Sequence, residues 1–340
     1  MWAYHAIAHP LDRLRAHALK RASPWIIPFV RNRDLRVTAS VCLLVLCALL
    51  GSMTLPFWQL ALGPVVLGIP HVIGDIRYLV VQRGLHRRLG FWLAVVAPFA
   101  VSVWSQHPGW GMAGVLGAVV TTRGSLRRKL LALTVVLGLV GLAMTWERLF
   151  LYAFIHLHNV IGIAIWWCWR PRPHRWQAIS LGLIALGSLL LLFGGGEFAV
   201  QWLGTSDWHA SGLGPKEFAA MLVPFSSSPL AIRFVMLFAF LQSIHYMVWI
   251  RFVPEDARAQ ATPRTFRRSL NRLRADLGWL LDLAVIGLVV LIGWAMVDIE
   301  MARHRYLQLI FFHGFLELAV CAILFVEYTP QCIRGSKRSS

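Results

Sequence analysis

Long apolar runs alternate with short polar segments along almost the whole chain. A helix needs about 20 apolar residues to cross the hydrocarbon core of a bilayer, so the pattern predicts an all-α bundle of ten transmembrane helices. The fourth run is short and rich in glycine, which leaves nine spans with a re-entrant segment as the alternative. The predicted spans are 37–55, 57–81, 90–105, 108–122, 129–146, 148–169, 177–203, 230–250, 278–298 and 305–328.

The composition is that of a polytopic membrane protein. Hydrophobic residues make up 58% of the chain and charged residues 14%, and the mean hydropathy is +0.63. These values exclude an ordinary soluble domain. We expect a basic cytoplasmic segment over 1–36, one membrane domain over 37–328 and a basic cytoplasmic tail over 329–340. The first segment is not expected to be a cleavable signal, because arginine, lysine and histidine fill it up to the first apolar run.

Basic residues are distributed unevenly between the polar segments. The connections at 55–56, 106–109 and 203–229 nearly lack lysine and arginine. Cytoplasmic loops of membrane proteins are enriched in these residues, so these connections are predicted to lie outside. Both termini are then cytoplasmic, as expected for a bacterial inner membrane protein. The basic segments assigned to the cytoplasm are 83–88, 123–129, 170–175, 251–274 and 334–338.

This topology also accounts for the formal net charge of +18. Basic loops suit both membrane insertion and contact with the anionic inner leaflet, so membrane lipids are the expected partners. The segment 251–276 is predicted to form a cytoplasmic helix on the lipid headgroups, with a partner-docking surface as the alternative. Nucleic-acid binding is not predicted, because no binding motif with interleaved aromatic residues is present.

Histidines within the apolar runs are the main candidate functional residues. An ionisable side chain is costly in hydrocarbon, and such residues usually mark functional sites. His71 with Asp75 and His313 with Glu317 are i,i+4 pairs, so each pair shares one helix face. In the predicted topology the histidine-bearing spans all run from outside to inside. A hydrogen bond to a neighbouring helix is the alternative role for each histidine. The candidates are His71, His156, His158, His245 and His313.

The depth of each histidine can be estimated from its distance to the first cytoplasmic charge. His71 and His158 each precede such an arginine by 12 residues, which corresponds to ~18 Å in a helix. His245 lies only ~9 Å deep by the same measure, and His313 lies nearer the outer side. A single four-histidine site is therefore left open. Depth favours His158 over His156, and the i,i+2 spacing points these two side chains to different faces.

The segment Gly68-Ile69-Pro70-His71-Val72-Ile73-Gly74-Asp75 resembles the G-[LI]-P-H-x-x-x-D signature of the Brp/Blh-type β-carotene 15,15′-dioxygenases. Three later elements are similar to that family in the same order. They are Phe154-Ile155-His156, Ser243-Ile244-His245, and Phe312-His313 with Glu317.

The resemblance implies an integral membrane enzyme that cleaves β-carotene to retinal with a histidine-bound non-haem iron. It assigns His71, His156, His245 and His313 as ligands and Asp75 as a supporting residue. The choice between His156 and His158 stays open, because the resemblance favours His156. Val72 and Ile73 replace small residues of the family signature, and Phe312 stands where a proline is expected. These departures indicate a distant relative.

The sequence therefore predicts an oxidoreductase that uses Fe(II) and O₂ on an apolar lipid or isoprenoid, carotenoid cleavage being one such reaction. Neutral imidazoles with open coordination positions suit this chemistry. Asp75 and Glu317 are the candidate catalytic carboxylates. One alternative is a haem or quinone protein with His71 and His158 as axial ligands. Others are a proton-coupled transporter with a polar path that includes Glu197, and a scaffold protein.

Overall fold

The computed structural model describes residues 2–21, 24–170, 174–203, 215–228 and 230–327. These residues form helices joined by short connections, with no strand among them, which confirms the predicted all-α class. The tail at 329–340 lies outside the described residues. The α-helices are α1 (Trp2–Arg21), α2 (Ile27–Arg31), α3 (Arg33–Thr54), α4 (Pro56–Asp75), α5 (Leu89–Phe91), α6 (Ala97–Ser105), α7 (Pro108–Val120), α8 (Leu126–Thr145), α9 (Glu147–Trp169), α10 (His174–Leu192), α11 (Gly195–Leu203), α12 (Pro215–Leu222), α13 (Leu230–Met247), α14 (Val253–Asp256), α15 (Phe266–Leu277), α16 (Trp279–Ala295), α17 (Ile299–Leu309) and α18 (His313–Glu327).

Six helical segments of the described chain are long and apolar enough to cross a membrane. A seventh span results if α15 and α16, which meet at a bend of 109°, are taken together. Shorter apolar helices account for three more predicted runs, so the number of spans and the side of the termini stay predictions. The six segments are Arg33–Thr54, Pro56–Val81, Leu126–Thr145, Glu147–Trp169, Leu230–Asp256 and Ile299–Glu327.

Two predicted spans are broken in the structure. The run 177–203 forms α10 and α11, which are separated at Gly194, where φ is +91° and glycine is therefore favoured. The run 305–328 is divided into α17 and α18 by a turn at 310–312. The helix expected over 251–276 forms only over Phe266–Leu277, because residues up to Asp256 continue the line of α13.

Helix α13 lies at the centre of the bundle. It packs against α3, α4, α9 and α10, and 72% of the apolar window of its span is buried. By contrast, only 17% of the window of α8 is buried. Large apolar side chains such as Leu130, Leu131 and Val135 remain exposed on α8. An exposed apolar face of this kind fits contact with lipid tails rather than water.

Arginines from two parts of the chain converge on the buried Glu255. Arg36 donates to its Oε1, while Arg251 and Arg258 donate to Oε2 at 2.6 and 2.8 Å. The next residue, Asp256, accepts from Trp166 and Arg170. These contacts connect the N-terminal part of α3 to the end of the α13 span. Glu255 therefore holds together helices that are far apart in the sequence.

Replacing Glu255 with glutamine should destabilise the fold strongly. The three arginines would lose their shared anion, and breaking a buried ion pair from one side costs about 3–5 kcal/mol. Thermal and denaturant unfolding of the detergent-solubilised protein measures this loss. Asp282→Asn is the matched control, because the Arg274–Asp282 pair is more than one-third exposed on each side and such pairs contribute about 0–1 kcal/mol. Equal stability losses in the two variants would contradict the role given to Glu255.

Candidate metal centre

Three histidines from three helices converge in the interior of the bundle. His71 of α4, His245 of α13 and His313 at the start of α18 each offer one ring nitrogen, and these atoms lie within 4.8 Å of one another. His71 and His245 are fully buried. Nitrogen ligands on one metal ion at ~2.1 Å are at most about 4.2 Å apart. A small inward movement of the rings would therefore bring this set to coordination distance.

His158 completes the cluster from a fourth helix, α9. Its ring centroid lies 5.0 Å from that of His245 and 5.0 Å from that of His313. His156 points the other way, as its i,i+2 spacing predicts. Its Nε2 is 3.1 Å from the carbonyl oxygen of Leu222, and its ring packs against Phe238. The structure thus brings His158 into the cluster and leaves His156, the candidate taken from the resemblance, outside it.

The backbone orients three of the four imidazoles. The Nδ1 atoms of His71, His158 and His313 face carbonyl oxygens one turn earlier in the chain, at 3.3, 2.9 and 2.8 Å. An Nδ1–H that donates to a carbonyl leaves the lone pair on Nε2, which is the form that binds metals. One ring nitrogen each of His71, His245 and His313, here called the triad, lies within 4.8 Å of the other two.

Several buried polar atoms of the cluster have no hydrogen-bond partner in the described part of the chain. They include Nε2 of His71, Nε2 of His313 and both ring nitrogens of His245. Buried polar atoms are nearly always paired, so a group of orphaned acceptors needs an explanation. A divalent metal ion accepts lone pairs from all three histidines at once. The donor set therefore fits a metal ion.

Two buried carboxyl groups lie beside the histidines. Glu317 accepts from Trp249 Nε1 at 2.7 Å through Oε1, which is also 3.4 Å from Nε2 of His245. Both oxygens of Asp75 and Oε2 of Glu317 have no hydrogen-bond partner within the described residues. Isolated carboxylates are expensive to bury. A nearby divalent cation would provide the compensating positive charge.

Local sequence features explain how the rings approach so closely. His245 lies against Gly162 of α9, where a Cβ atom would be 2.5 Å from Nδ1 of the imidazole. Pro70 lacks the N–H of a regular helix just before His71. Helices α4 and α13 each continue into a π-helical segment, at Ile76–Val81 and Val248–Phe252. Such segments are frequent at functional sites because they change the register of the side chains that follow.

The separate depths predicted for these histidines are wrong. Arg251 does not mark the end of its span, because the helix continues to Asp256 and Arg251 bonds the buried Glu255. On α17, Arg303 is buried and donates to the carbonyl oxygen of Leu60 at 2.8 Å. Charged residues therefore lie inside the packed bundle near both histidines. Counting residues from the nearest charge placed His245 too close to the cytoplasmic side and His313 too close to the outer side, whereas both rings lie next to His71.

An apolar cavity of about 360 Å³ opens beside the cluster. His158 and His313 are part of its wall, together with Tyr246, whose ring centroid is 4.5 Å from that of His71. Exposed residues, Met221 and His304, also line it, so the cavity reaches the surface of the bundle. Aromatic side chains form much of the remaining wall, namely Phe154, Phe238, Phe311 and Phe315.

Several residues around the site were not identified from the sequence. Trp249 binds Glu317, Tyr246 stacks near His71, and the hydroxyl of Tyr306 is buried without a partner in the described chain. Gly162 is one of many glycines, and nothing in its local sequence marks it. Arg303 and Tyr306 lie in the polar segment Ile299–Leu309, where neither residue stands out from its neighbours.

Glu197, considered as part of a transport path, lies apart from the histidines. Its side chain is about one-third exposed and pairs with Arg233 at 2.9 Å. The other candidate carboxylates, Asp75 and Glu317, are fully buried. Glu197 therefore differs in environment from Asp75 and Glu317, and the three carboxyl groups do not form one buried polar path.

Neither a family model, nor a curated protein, nor a solved structure matches this chain.

Introducing a methyl group opposite His245 should weaken the metal site. In Gly162→Ala the new Cβ would be 2.5 Å from Nδ1 of the His245 imidazole, so the ring must leave the position that it holds beside the other ligands. Affinity for added Fe(II) or Co(II) should fall by ~10-fold or more, the range seen when support of a ligand is lost. Titration of the purified protein with the metal measures this change.

Gly138→Ala is the control for this variant, because no atom lies within 4 Å of the added Cβ. It should bind metal like the unmodified protein. Undiminished affinity in Gly162→Ala would show that His245 is not a ligand in its present orientation.

Proposed function

We propose that this protein is a membrane-embedded non-haem iron oxygenase that acts on a lipid-soluble substrate. The observation that carries the proposal is the triad of His71, His245 and His313, whose inward-facing nitrogens lack other partners in the described chain. Histidine-rich sites with open positions suit Fe(II). When bound, the metal would supply O₂ activation. The resemblance to the Brp/Blh-type dioxygenases supports this choice of chemistry.

The residues around the triad would divide the remaining work. His71, His245 and His313 hold the metal, and His158 is close enough to serve as a fourth ligand. Glu317, whose Oε1 is 3.4 Å from Nε2 of His245, would help to orient that ring and is itself held by Trp249. Such outer carboxylates fix the orientation of the ligand and raise its basicity. Asp75 balances the charge of the site.

The cavity would receive the substrate and exclude water. It borders the histidines directly, and its aromatic wall favours a hydrocarbon body over a polar one. An opening at the surface of the bundle, beside Met221 and His304, would admit the lipid. Carotenoid cleavage, the activity implied by the resemblance, is one form of this proposal. In that reaction both oxygen atoms of O₂ enter the two carbonyl products, so no separate reductant is needed.

The packing of the rings favours a single ion over a haem. His245 and His313 both touch His71 and His158 edge to face, at centroid distances of 5.0–5.6 Å. A porphyrin held between His71 and His158 would have to displace these two rings. The isolated position of Glu197 likewise favours an enzyme over a proton-coupled transporter.

Alanine substitutions should distinguish the proposed ligands His71 and His245 from His156, which does not face the cluster. Iron per chain should fall below a tenth of the normal content in His71→Ala and in His245→Ala, because a three-histidine site loses a ligand. It should stay normal in His156→Ala. Elemental analysis of the purified proteins gives these values. Normal iron in the first two variants, or loss of iron in His156→Ala, would contradict the proposed ligand set.

The reaction class can be tested before the substrate is identified. Bacterial cells that make the protein are grown under ¹⁸O₂, and their lipids are compared with those of cells that make His245→Ala. We expect an ¹⁸O-labelled lipid only with the unmodified protein. In a β-carotene-producing host, formation of labelled retinal would identify carotenoid cleavage. Iron-loaded protein that labels no lipid in either host would argue against an oxygenase.

A further inference from the structure

Arg303 of α17 is a buried cation in the wall of the apolar cavity beside the histidines. Its exposure is 7%, and it lines the cavity with Tyr246 and His313. In the described chain it forms no ion pair with an acidic residue. Glu300, one turn earlier on the same helix, is exposed to solvent instead. Among the residues that the structure describes, none therefore balances the charge of Arg303 through an ion pair.

The contacts of Arg303 position its side chain without neutralising it. Nε donates to the carbonyl oxygen of Leu60 at 2.8 Å, and Nη1 is 3.9 Å from the sulfur of Met221. The guanidinium also lies over the ring of Phe218, with Cζ at 5.1 Å from the centroid. A carbonyl, a thioether and an aromatic face are neutral partners. They hold the planar group in place and leave donors available on the cavity side.

A guanidinium in an apolar cavity is costly unless an anion pairs with it. A pure hydrocarbon in the cavity would leave this cost in place. A ligand with a carboxylate would remove it through two parallel hydrogen bonds, the geometry that arginine favours. Among the described residues that line this cavity, Arg303 is the only arginine or lysine, so one negative charge matches it better than the two charges of a phosphate monoester.

We propose that the cavity binds a long-chain carboxylate, with its carboxylate on Arg303 and its apolar chain along the aromatic wall towards the histidines. Arg303 would then determine specificity by selecting the acid over neutral lipids of equal length. The identification of this molecule as the substrate rests on the proposed function. The binding site itself does not, because Arg303 is not among the proposed metal ligands.

Binding can be measured in nanodiscs with cis-parinarate, a fluorescent long-chain carboxylate that accepts energy from tryptophan. Stearate, methyl stearate and octadecyl phosphate then compete with the probe, and empty nanodiscs correct for partitioning into lipid. We expect stearate to bind at least 10-fold more tightly than methyl stearate. Equal affinities for the acid and the ester in the unmodified protein would overturn the proposal, as would a 10-fold preference for octadecyl phosphate over stearate.

Variants of the arginine identify the group that makes this selection. Arg303→Met keeps an apolar side chain of similar length and should reduce the preference for the acid to about one. Arg303→Lys keeps the charge and should retain part of the preference. Arg233→Met, which removes an arginine that pairs with Glu197 outside the cavity, should retain all of it. An unchanged preference in Arg303→Met would show that the guanidinium does not contact the ligand.

Metal content measured on the same samples keeps the two proposals apart. Arg303→Met should bind iron normally, because the histidines are unchanged. Selective binding of stearate by a protein that binds no iron would support the carboxylate site and remove the oxygenase. Iron binding with no preference for stearate over its methyl ester would do the opposite.

Discussion

The cost of placing imidazole and carboxyl groups in the interior of an apolar helix bundle is the constraint on which this structure depends. His71, His245, Asp75 and Glu317 are all fully buried. Several of their polar atoms have no hydrogen-bond partner in the described chain. Water cannot satisfy such atoms in a hydrocarbon environment, so they must satisfy one another or share a cation. The cluster is arranged for the second solution, because ring nitrogens of His71, His245 and His313 converge, and the Nδ1 atoms of His71 and His313 already face backbone carbonyl oxygens.

The helices that carry the clustered histidines depart from regular α-helical geometry close to those histidines. Helices α4 and α13 change to π-helical geometry after the motif residues, and α18 begins at His313 itself, after a break. Broken helices in membrane proteins are tolerated where they line a buried site or cavity. The regular outer helices, such as α8, carry the apolar surface. Irregular backbone thus adjoins the histidines of α4, α13 and α18, where neighbouring helices can cover it.

Two buried charged residues of the bundle, Glu255 and Arg303, differ in their surroundings. Glu255 is surrounded by arginines and joins distant helices, whereas Arg303 has no acidic partner in the described chain and borders a cavity. The ion pairs of Glu255 stabilise the packing of distant helices. An unpaired charge beside a cavity, as at Arg303, indicates a ligand of opposite charge. The proposed carboxylate would complete Arg303 as the proposed metal would complete the histidines. Together they would give a cavity with one polar end and a metal centre in its wall.

The sequence by itself determined the all-α class, most helix positions and the candidate histidines from which the cluster is formed, because hydrophobic runs and their polar interruptions are local properties. It also predicted that His156 and His158 face opposite ways, since side-chain direction follows from helix geometry. Only the tertiary structure decided which of the two joins the cluster and that His245 and His313 reach it. Those outcomes depend on where helices break and on which charges are buried, as Glu255 and Arg303 are. Burial is set by contacts between residues far apart in the chain, and the linear pattern does not record such contacts.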